Sequence, residues 1–116
     1  PDPGNLTQFQ ADVGKTLRFR VTGGQPANGR GGSVWGTDFY TLDSTLAMAA
    51  MHAGLLKQGE TGIVRVTILP AQPRFEGSNR NGVRTSSFGG YPGAYTFERE
   101  QAIPPIPLQV PVIEAF

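Results

Sequence analysis

One histidine and a few polar side chains are the residues of this chain that could do chemistry. His52 is the only histidine, so a multi-histidine metal site is excluded. With a carboxylate from Asp38 or Asp43 and a hydroxyl from Ser44 or Ser78, it could form a hydrolytic triad. His52 lies, however, on a segment that is apolar all round, and this favours a hydrogen-bonded core histidine. We therefore predict a protein that is not an enzyme and holds no metal or cofactor.

Interleaved arginine and aromatic residues are the second candidate for chemistry. They are Arg74, Phe75, Arg80, Arg84, Phe88 and Tyr91. Such a mixture can bind single-stranded nucleic acid, but Glu76 interrupts it and the net charge is only +1. We therefore predict no nucleic-acid partner. A polar and aromatic surface for sugars or anionic lipid headgroups fits better, and its candidate residues are Trp35, Arg80, Asn81 and Arg84. The simpler alternative, which the pattern favours, is that residues 80–82 form only a turn.

Length and composition limit the remaining classes of protein. The 116 residues fit one domain with a modest core. Sixteen glycines and ten prolines exceed average usage and indicate a loop-rich β framework. Cysteine is absent, which excludes disulfides and thiol chemistry. No apolar run is long enough to span a bilayer, so we predict no membrane insertion.

Residues 41–56 are the only segment that clearly predicts an α-helix, and the other elements must be arranged around it. Asp43 and Ser44 can cap its first backbone N–H groups, and Gly54 offers the left-handed residue that ends many helices. The helix is apolar on every face, which is typical of a buried helix. The predicted fold class is therefore α+β, with antiparallel strands wrapped around a central buried helix.

Alternation of apolar and polar residues predicts the strands. They cover residues 15–23, 33–40, 63–69 and 94–99, with a short strand near Val83 inside a long loop. In the third of these, Val64, Val66 and Ile68 are expected to face the core. We divide the chain into an N-terminal arm (residues 1–14), a domain (15–100) and a Pro-rich C-terminal arm (101–116).

The N-terminal arm carries two weak signals. Phe9, Ala11 and Val13 alternate with polar residues as in a possible strand. Asn5 begins an Asn-Leu-Thr tripeptide, which is an N-glycosylation sequon and needs an exposed site. Because such tripeptides are often fortuitous, Asn5 is only a candidate for modification.

Two stretches of the domain resemble the signature of the LCCL domain. The first is Val-Trp-Gly-Thr-Asp-Phe-Tyr-Thr at 34–41, followed by Asp43-Ser44 and by Ala-Ala-Met-His-Ala-Gly-Leu at 49–55. The second is Gly-Ser-Asn-Arg-Asn-Gly-Val at 77–83, with Ser86. Order and spacing are similar over about residues 15–99. In the resemblance, His52 belongs to the fold signature and to no catalytic set.

The resemblance implies a fold, a location and a type of function. The family has β-strands that wrap a central helix, and it occurs in secreted and host-defence proteins. It is suspected of binding lipopolysaccharide or similar glycans, and it is non-catalytic. This chain departs from the family because it lacks the disulfide-forming cysteines; Ala47 stands at the position inside the helix motif.

The C-terminal arm has the pattern of a strand that pairs on one edge only. Apolar residues occupy the even positions Ile106, Leu108, Val110 and Val112, whereas prolines occupy 105, 107 and 111. Side chains alternate faces and N–H groups alternate edges along a strand, so the prolines remove donors from one edge alone. Such a strand could fold back onto its own domain or add to a neighbouring copy.

These observations together predict an extracellular or cell-surface structural or adhesive domain. It would assemble head to tail with other copies of itself by β-strand addition of the C-terminal arm. The alternative is a soluble module that binds glycans or lipopolysaccharide, with its tail packed in cis.

Overall fold

A computed structural model describes residues 2–25 and 33–100, and it confirms the α+β fold class. The helices are a 3-10 helix at Thr7–Asp12 and α1 at Leu46–His52. The strands are β1 Thr16–Thr22, β2 Gly36–Thr37, β3 Phe39–Thr41, β4 Thr61–Leu69, β5 Asn79–Arg80, β6 Val83–Arg84 and β7 Ala94–Arg99. The C-terminal arm, with Ile106, Leu108, Val110 and Val112, lies outside the described residues.

The main sheet has five antiparallel strands in the order β1-β4-β7-β3-β2, and β5 pairs with β6 in a separate hairpin. The predicted alternation along β4 is confirmed, since Val64, Val66 and Ile68 are fully buried. Across the register, Leu17 lies beside Val66 on β4 and Phe97 on β7, so these positions share one face. That face covers the core.

Helix α1 packs against the core with small side chains. Leu46, Ala47, Ala49 and Ala50 have no solvent-exposed surface, whereas Met48 and Met51 are partly exposed. The helix is thus buried on most of its circumference, whereas its apolar composition predicts burial on every face. None of the helices among residues 2–25 and 33–100 has the length and apolar character needed to cross a membrane.

The start of α1 differs from the prediction. The N-cap is Thr45, and no side chain caps the helix, so Asp43 and Ser44 do not have that role. The Ser44 hydroxyl instead accepts a hydrogen bond from the Trp35 backbone N–H at 2.9 Å. Ser44 and Asp43 lie one and two residues too early to reach the first-turn N–H groups.

The end of α1 is a hydrogen-bonded glycine turn. Gly54 has a φ of 83°, and its N–H donates to the Met51 carbonyl at 3.0 Å. The Leu55 N–H donates to the Ala50 carbonyl at 2.9 Å. These two bonds satisfy carbonyls that the last helical turn would leave unpaired.

Two further elements differ from the prediction. The single strand expected at residues 33–40 is divided into β2 and β3, because Asp38 adopts a φ of 68° and reverses the chain. The weak strand pattern from Phe9 to Val13 is a 3-10 helix instead. The N-terminal segment is not a separate arm, since Leu6 is fully buried in the core and its N–H donates to the Leu42 carbonyl.

Candidate functional site

A buried histidine joins α1 to two hairpins, one formed by β2 and β3 and the other by β5 and β6. His52 ends the helix and has no exposed surface. Its Nδ1 lies 2.9 Å from the Tyr40 hydroxyl on β3, and the two rings meet edge to face at 5.7 Å. Its Nε2 lies 3.1 Å from the Ser78 hydroxyl and 3.3 Å from the Ser78 carbonyl, just before β5. Both ring nitrogens therefore have partners.

The partners determine where the imidazole proton sits. The Ser78 carbonyl can only accept, so Nε2 carries the proton and Nδ1 accepts from the Tyr40 hydroxyl. Burial lowers the pKa of His52, and the positive charge of Arg80 lowers it further, against opposing effects of Ser78 and Asp38. Burial likewise raises the pKa of the Tyr40 hydroxyl. Both groups are therefore neutral near pH 7.

Hydroxyl groups extend this network to the β5–β6 hairpin. The Ser78 hydroxyl lies 2.6 Å from the Thr37 hydroxyl. Buried Thr85 accepts a hydrogen bond from the Ser78 N–H at 2.9 Å and donates to the Gly36 carbonyl at 2.7 Å. We call Thr37, Tyr40, His52, Ser78 and Thr85 the His52 junction. It fixes both hairpins to the end of the helix.

The His52 junction lacks the arrangement of a catalytic triad. A general base needs an unprotonated nitrogen toward the nucleophile and a carboxylate behind the ring. Here Nε2 donates toward Ser78, and Tyr40 takes the place of the carboxylate. Asp38 instead forms an ion pair with Arg80 at 2.9 Å on the surface. Among the described residues, no group of His, Asp and Glu side chains could hold a metal ion.

A second region of interest is the side of β1 that faces away from β4, which we call the outer β1 edge. β1 ends the five-stranded sheet, and among residues 2–25 and 33–100 no strand pairs with it on this side. The opposite end of the sheet differs, because Gly36 of β2 donates to the Ser86 carbonyl and accepts from Thr85. The longer of the two end strands thus has an unpartnered side in the described structure.

Apolar and polar side chains divide between the two faces of β1. On the core face, Val21 is buried, and Leu17 and Phe19 are half-buried. Phe19 packs against Phe9 with ring centroids 5.7 Å apart. The other face carries exposed side chains, which are Thr16, Arg18 and Arg20. Leu17 and Phe19 are therefore less covered than their neighbours on β4, as expected for a strand at the end of a sheet.

Comparison with known families identifies the architecture. The sequence model of the LCCL domain family matches residues 5–94, which is most of the chain. The chain belongs to the LCCL domain family. A search of curated proteins gives no match. The two motifs of this LCCL domain meet in space, because His52 of the first contacts Ser78 of the second.

The four candidate ligand residues of the LCCL domain do not form one site. Arg80, Asn81 and Arg84 line a shallow concavity on the β5–β6 hairpin, and Trp35 is not part of it. The Trp35 ring packs edge-on against Phe88 at 6.2 Å. The sequence pattern thus groups residues that the fold places on two surfaces.

Each residue of the β5–β6 concavity also has a structural contact. Asn81 has a φ of 53° and Gly82 a φ of 81°, which is the tight hairpin turn expected for an Asn-Gly pair. The Asn81 amide donates to the His52 carbonyl at 2.8 Å. Arg84 is exposed, and its Nε lies 3.3 Å from the Asn79 side-chain oxygen. Residues 80–82 do form a turn.

Sequence reasoning included Ser78 among the possible partners of His52. It missed Tyr40, which contacts His52, and Thr85, which contacts Ser78. A buried tyrosine requires a partner for its hydroxyl, and this rule could have linked Tyr40 to the single histidine. Thr85 gives no such signal, since a threonine in a polar loop is ordinary.

The predicted glycosylation site lies in the N-terminal segment. The Asn5 side-chain oxygen accepts hydrogen bonds from the N–H and the hydroxyl of Thr7, at 3.2 and 3.0 Å. Asn5 is partly exposed, and modification of its amide stays a prediction.

Proposed function

We propose that this LCCL domain is an extracellular, non-catalytic structural module that assembles head to tail. In the assembly, the C-terminal arm of one copy adds as a strand to the sheet of the next copy. The single observation that carries the proposal is the unpartnered outer β1 edge in the described structure, seven residues long. An edge of this kind is a ready template for another strand.

The sequence of the C-terminal arm complements such an edge. Between residues 105 and 113 its prolines lie at odd positions, so the N–H groups of the even positions there remain available on one side. The even positions from 106 to 112 are also apolar. A strip of four apolar side chains exposed to water is unfavourable, and burial against a neighbouring sheet would remove it from solvent.

The partners of His52 support a non-catalytic role. Its protonated nitrogen points to Ser78, and the other nitrogen accepts from Tyr40. A change of His52→Gln is therefore expected to lower stability and to remove no hydrolytic activity. Loss of a measured hydrolase activity in a folded His52→Gln variant would contradict this part of the proposal.

Assembly is tested on the full chain by size-exclusion chromatography at several concentrations and by negative-stain electron microscopy. The native sequence is expected to form concentration-dependent filaments. The double variant Leu108→Asp, Val110→Asp is expected to remain monomeric, because it would bury unpaired charges. Gln109→Asp is the matched control; it adds a charge at an odd position and should still assemble. A native chain that elutes only as a monomer overturns the proposal.

A second candidate function is binding of anionic glycans such as lipopolysaccharide, with the tail packed in cis. It is favoured by one observation: Arg80 and Arg84 line the same concavity. Paired guanidinium groups suit phosphate or carboxylate ligands. Lipopolysaccharide titrated into the native chain and into Arg84→Ala would give a weaker signal for the variant. Equal binding by both excludes this site.

A further inference from the structure

We infer that the acceptor of the C-terminal arm is the outer β1 edge of the next copy, and that the added strand runs parallel to β1. This inference rests on the proposed function and specifies its geometry. It follows from which backbone groups of β1 face outward, from which face its apolar side chains occupy, and from where β7 ends.

The outward-facing backbone groups of β1 belong to the even-numbered residues. At one end of the strand, the Lys15 carbonyl accepts from Ile68 of β4 at 3.1 Å. At the other end, the Gly23 N–H donates to the Glu60 carbonyl at 2.9 Å. Backbone groups alternate edges along a strand, so the odd residues between these two bond to β4. Arg18 and Arg20 therefore direct their N–H and C=O groups to the outer edge.

The direction of the added strand decides which face its side chains occupy. In the arm, the even residues supply both the edge donors and the apolar side chains. In an antiparallel pair, residues that exchange hydrogen bonds lie directly opposite with side chains on the same face. Antiparallel addition would therefore place Leu108 and Val110 on the face of Arg18 and Arg20. That arrangement would leave the apolar strip among exposed charged side chains.

Parallel addition places the same side chains on the core face. In a parallel pair, a residue bonds to the two neighbours of the residue opposite it, and the opposite residue points its backbone away. An even arm residue that bonds to Arg18 and Arg20 therefore lies beside Phe19. Its side chain joins the core face of β1, where Leu17 and Phe19 are only half-buried. The apolar strip then continues the core.

The position of β7 excludes the same pairing within one copy. β7 and β1 both run antiparallel to β4 and are therefore parallel to each other. The last pair of β7 joins Arg99 to Val64, which in turn pairs with Phe19, so β7 ends level with the middle of β1. A parallel return to the start of β1 needs a crossover of about a dozen or more residues. Residues 101–105 do not suffice.

A straight arm on a parallel partner also fixes the polarity of the assembly. In the proposed contact the arm continues the direction of β7, and β7 is parallel to the β1 of its own copy. The β1 of the next copy then has the same direction as the first. Such a contact is heterologous and does not close on itself by a two-fold axis, so it produces an open chain of subunits.

Disulfide trapping in the full chain tests the direction. The native chain has no cysteine, so introduced pairs report only the designed contact. Each double variant carries Leu108→Cys or Val110→Cys with one cysteine on β1. Core-face positions, Leu17→Cys or Phe19→Cys, are expected to give a ladder of oligomers on a non-reducing gel. Polar-face positions, Arg18→Cys or Arg20→Cys, should give monomers. Thermal melts of the reduced variants verify that each is folded.

A shift of the arm cysteine provides a test that is independent of the register. When it moves from Leu108 to Val110, the best acceptor on β1 moves two residues toward the C-terminus in a parallel pair. In an antiparallel pair the acceptor moves two residues toward the N-terminus. Ladders from the polar face, or a shift of the opposite sign, overturn the parallel direction and leave strand addition intact. If filaments form but no variant gives disulfide-linked oligomers, the acceptor lies elsewhere and the inference is overturned. Absence of filaments is the separate failure of the proposed function.

A proline on β1 tests the acceptor edge itself. The Arg20 N–H faces away from β4, so Arg20→Pro removes no hydrogen bond of the sheet. It does remove a donor that the added strand needs, and its ring occupies the edge. Arg20→Pro is expected to be a folded monomer, whereas the control Arg20→Ala should form filaments. Filaments of folded Arg20→Pro would exclude this edge as the acceptor.

Discussion

The His52 junction and the outer β1 edge differ in whether their polar groups have hydrogen-bond partners within the described structure. At the junction, both imidazole nitrogens and the Thr85 hydroxyl have partners inside the protein. Along the outer β1 edge, no described strand accepts or donates to the backbone of Arg18 or Arg20. The two regions therefore have different roles in the domain. The polar residues of the motifs hold the hairpins to the helix, whereas β1, which lies outside those motifs, has an edge without a partner strand among the described residues.

The largest effect is expected when the base of the β5–β6 hairpin is forced apart. A Cβ on Gly77 would lie 2.5 Å from the Thr85 backbone carbonyl and 2.6 Å from the Ser86 backbone carbon. Gly77→Ala should therefore destabilise the domain by about 3 kcal/mol, as overpacking does. Chemical denaturation measures the change. The control is Gly89→Ala, where a Cβ meets no atom within 4 Å. Equal stability of both variants would show that the hairpin adjusts freely.

The next effect is expected at the buried tyrosine. Tyr40→Phe keeps the ring contact with His52 but leaves Nδ1 without a donor. An unpaired buried acceptor costs about 1–3 kcal/mol, so the free energy of unfolding should fall by that amount. Phe39→Tyr is the opposite control, since Phe39 is exposed and a hydroxyl there can reach water. Unchanged stability of Tyr40→Phe would mean that another group satisfies the imidazole.

A pair of hydroxyl deletions compares the two regions directly. The Ser78 hydroxyl contacts His52 and Thr37, whereas the Thr16 hydroxyl on β1 hydrogen-bonds with partly exposed Thr67 at 3.3 Å. Ser78→Ala is expected to cost about 1 kcal/mol, and Thr16→Ala less than about 0.5 kcal/mol. Thermal melts of both variants make the comparison. A larger cost for Thr16→Ala would reverse the assignment of roles.

The smallest effect is expected from pH. Burial is the chief reason that the folded-state pKa of His52 lies below the ordinary histidine value of 6.5. Below pH 6.5 the unfolded chain binds the proton more readily than the folded domain, so stability should decrease as the pH falls from about 7 to 5. In His52→Gln this slope should be absent. Denaturant melts across the range measure it, and an unchanged slope would assign it to another group.

Periodic patterns in the sequence predict the elements that depend on local chemistry. Residues 15–23 and 63–69 alternate regularly, and both form strands close to the predicted limits. The turn at Asp38 depends instead on a left-handed conformation that aspartate tolerates and the surrounding fold selects, so the sequence suggests one strand where there are two. The prediction that Asp43 and Ser44 cap the helix was wrong because the N-cap is Thr45, one residue after Ser44 and two after Asp43.

The candidate site was predictable only in part, since its contacts are distant in sequence. His52 and Ser78 are 26 residues apart, and nothing local distinguishes Ser78 from the other serines near it. The resemblance to the LCCL signature selects both residues, but it does not say that they touch. Trp35 was a ligand-binding candidate because of its residue type alone, and in the structure its ring packs against Phe88.

The place of β7 in the sheet has a consequence for the order of folding. β7 is the last described strand along the chain, yet it lies in the middle of the sheet, between β4 and β3. While the chain is being synthesised, β1 and β4 can pair. The other edge of β4 has no partner strand until residues 94–99 have left the ribosome. Until then Val66 and Ile68 lack their neighbours Phe97 and Tyr95. The five-stranded sheet can therefore be completed only after nearly the whole domain has been translated.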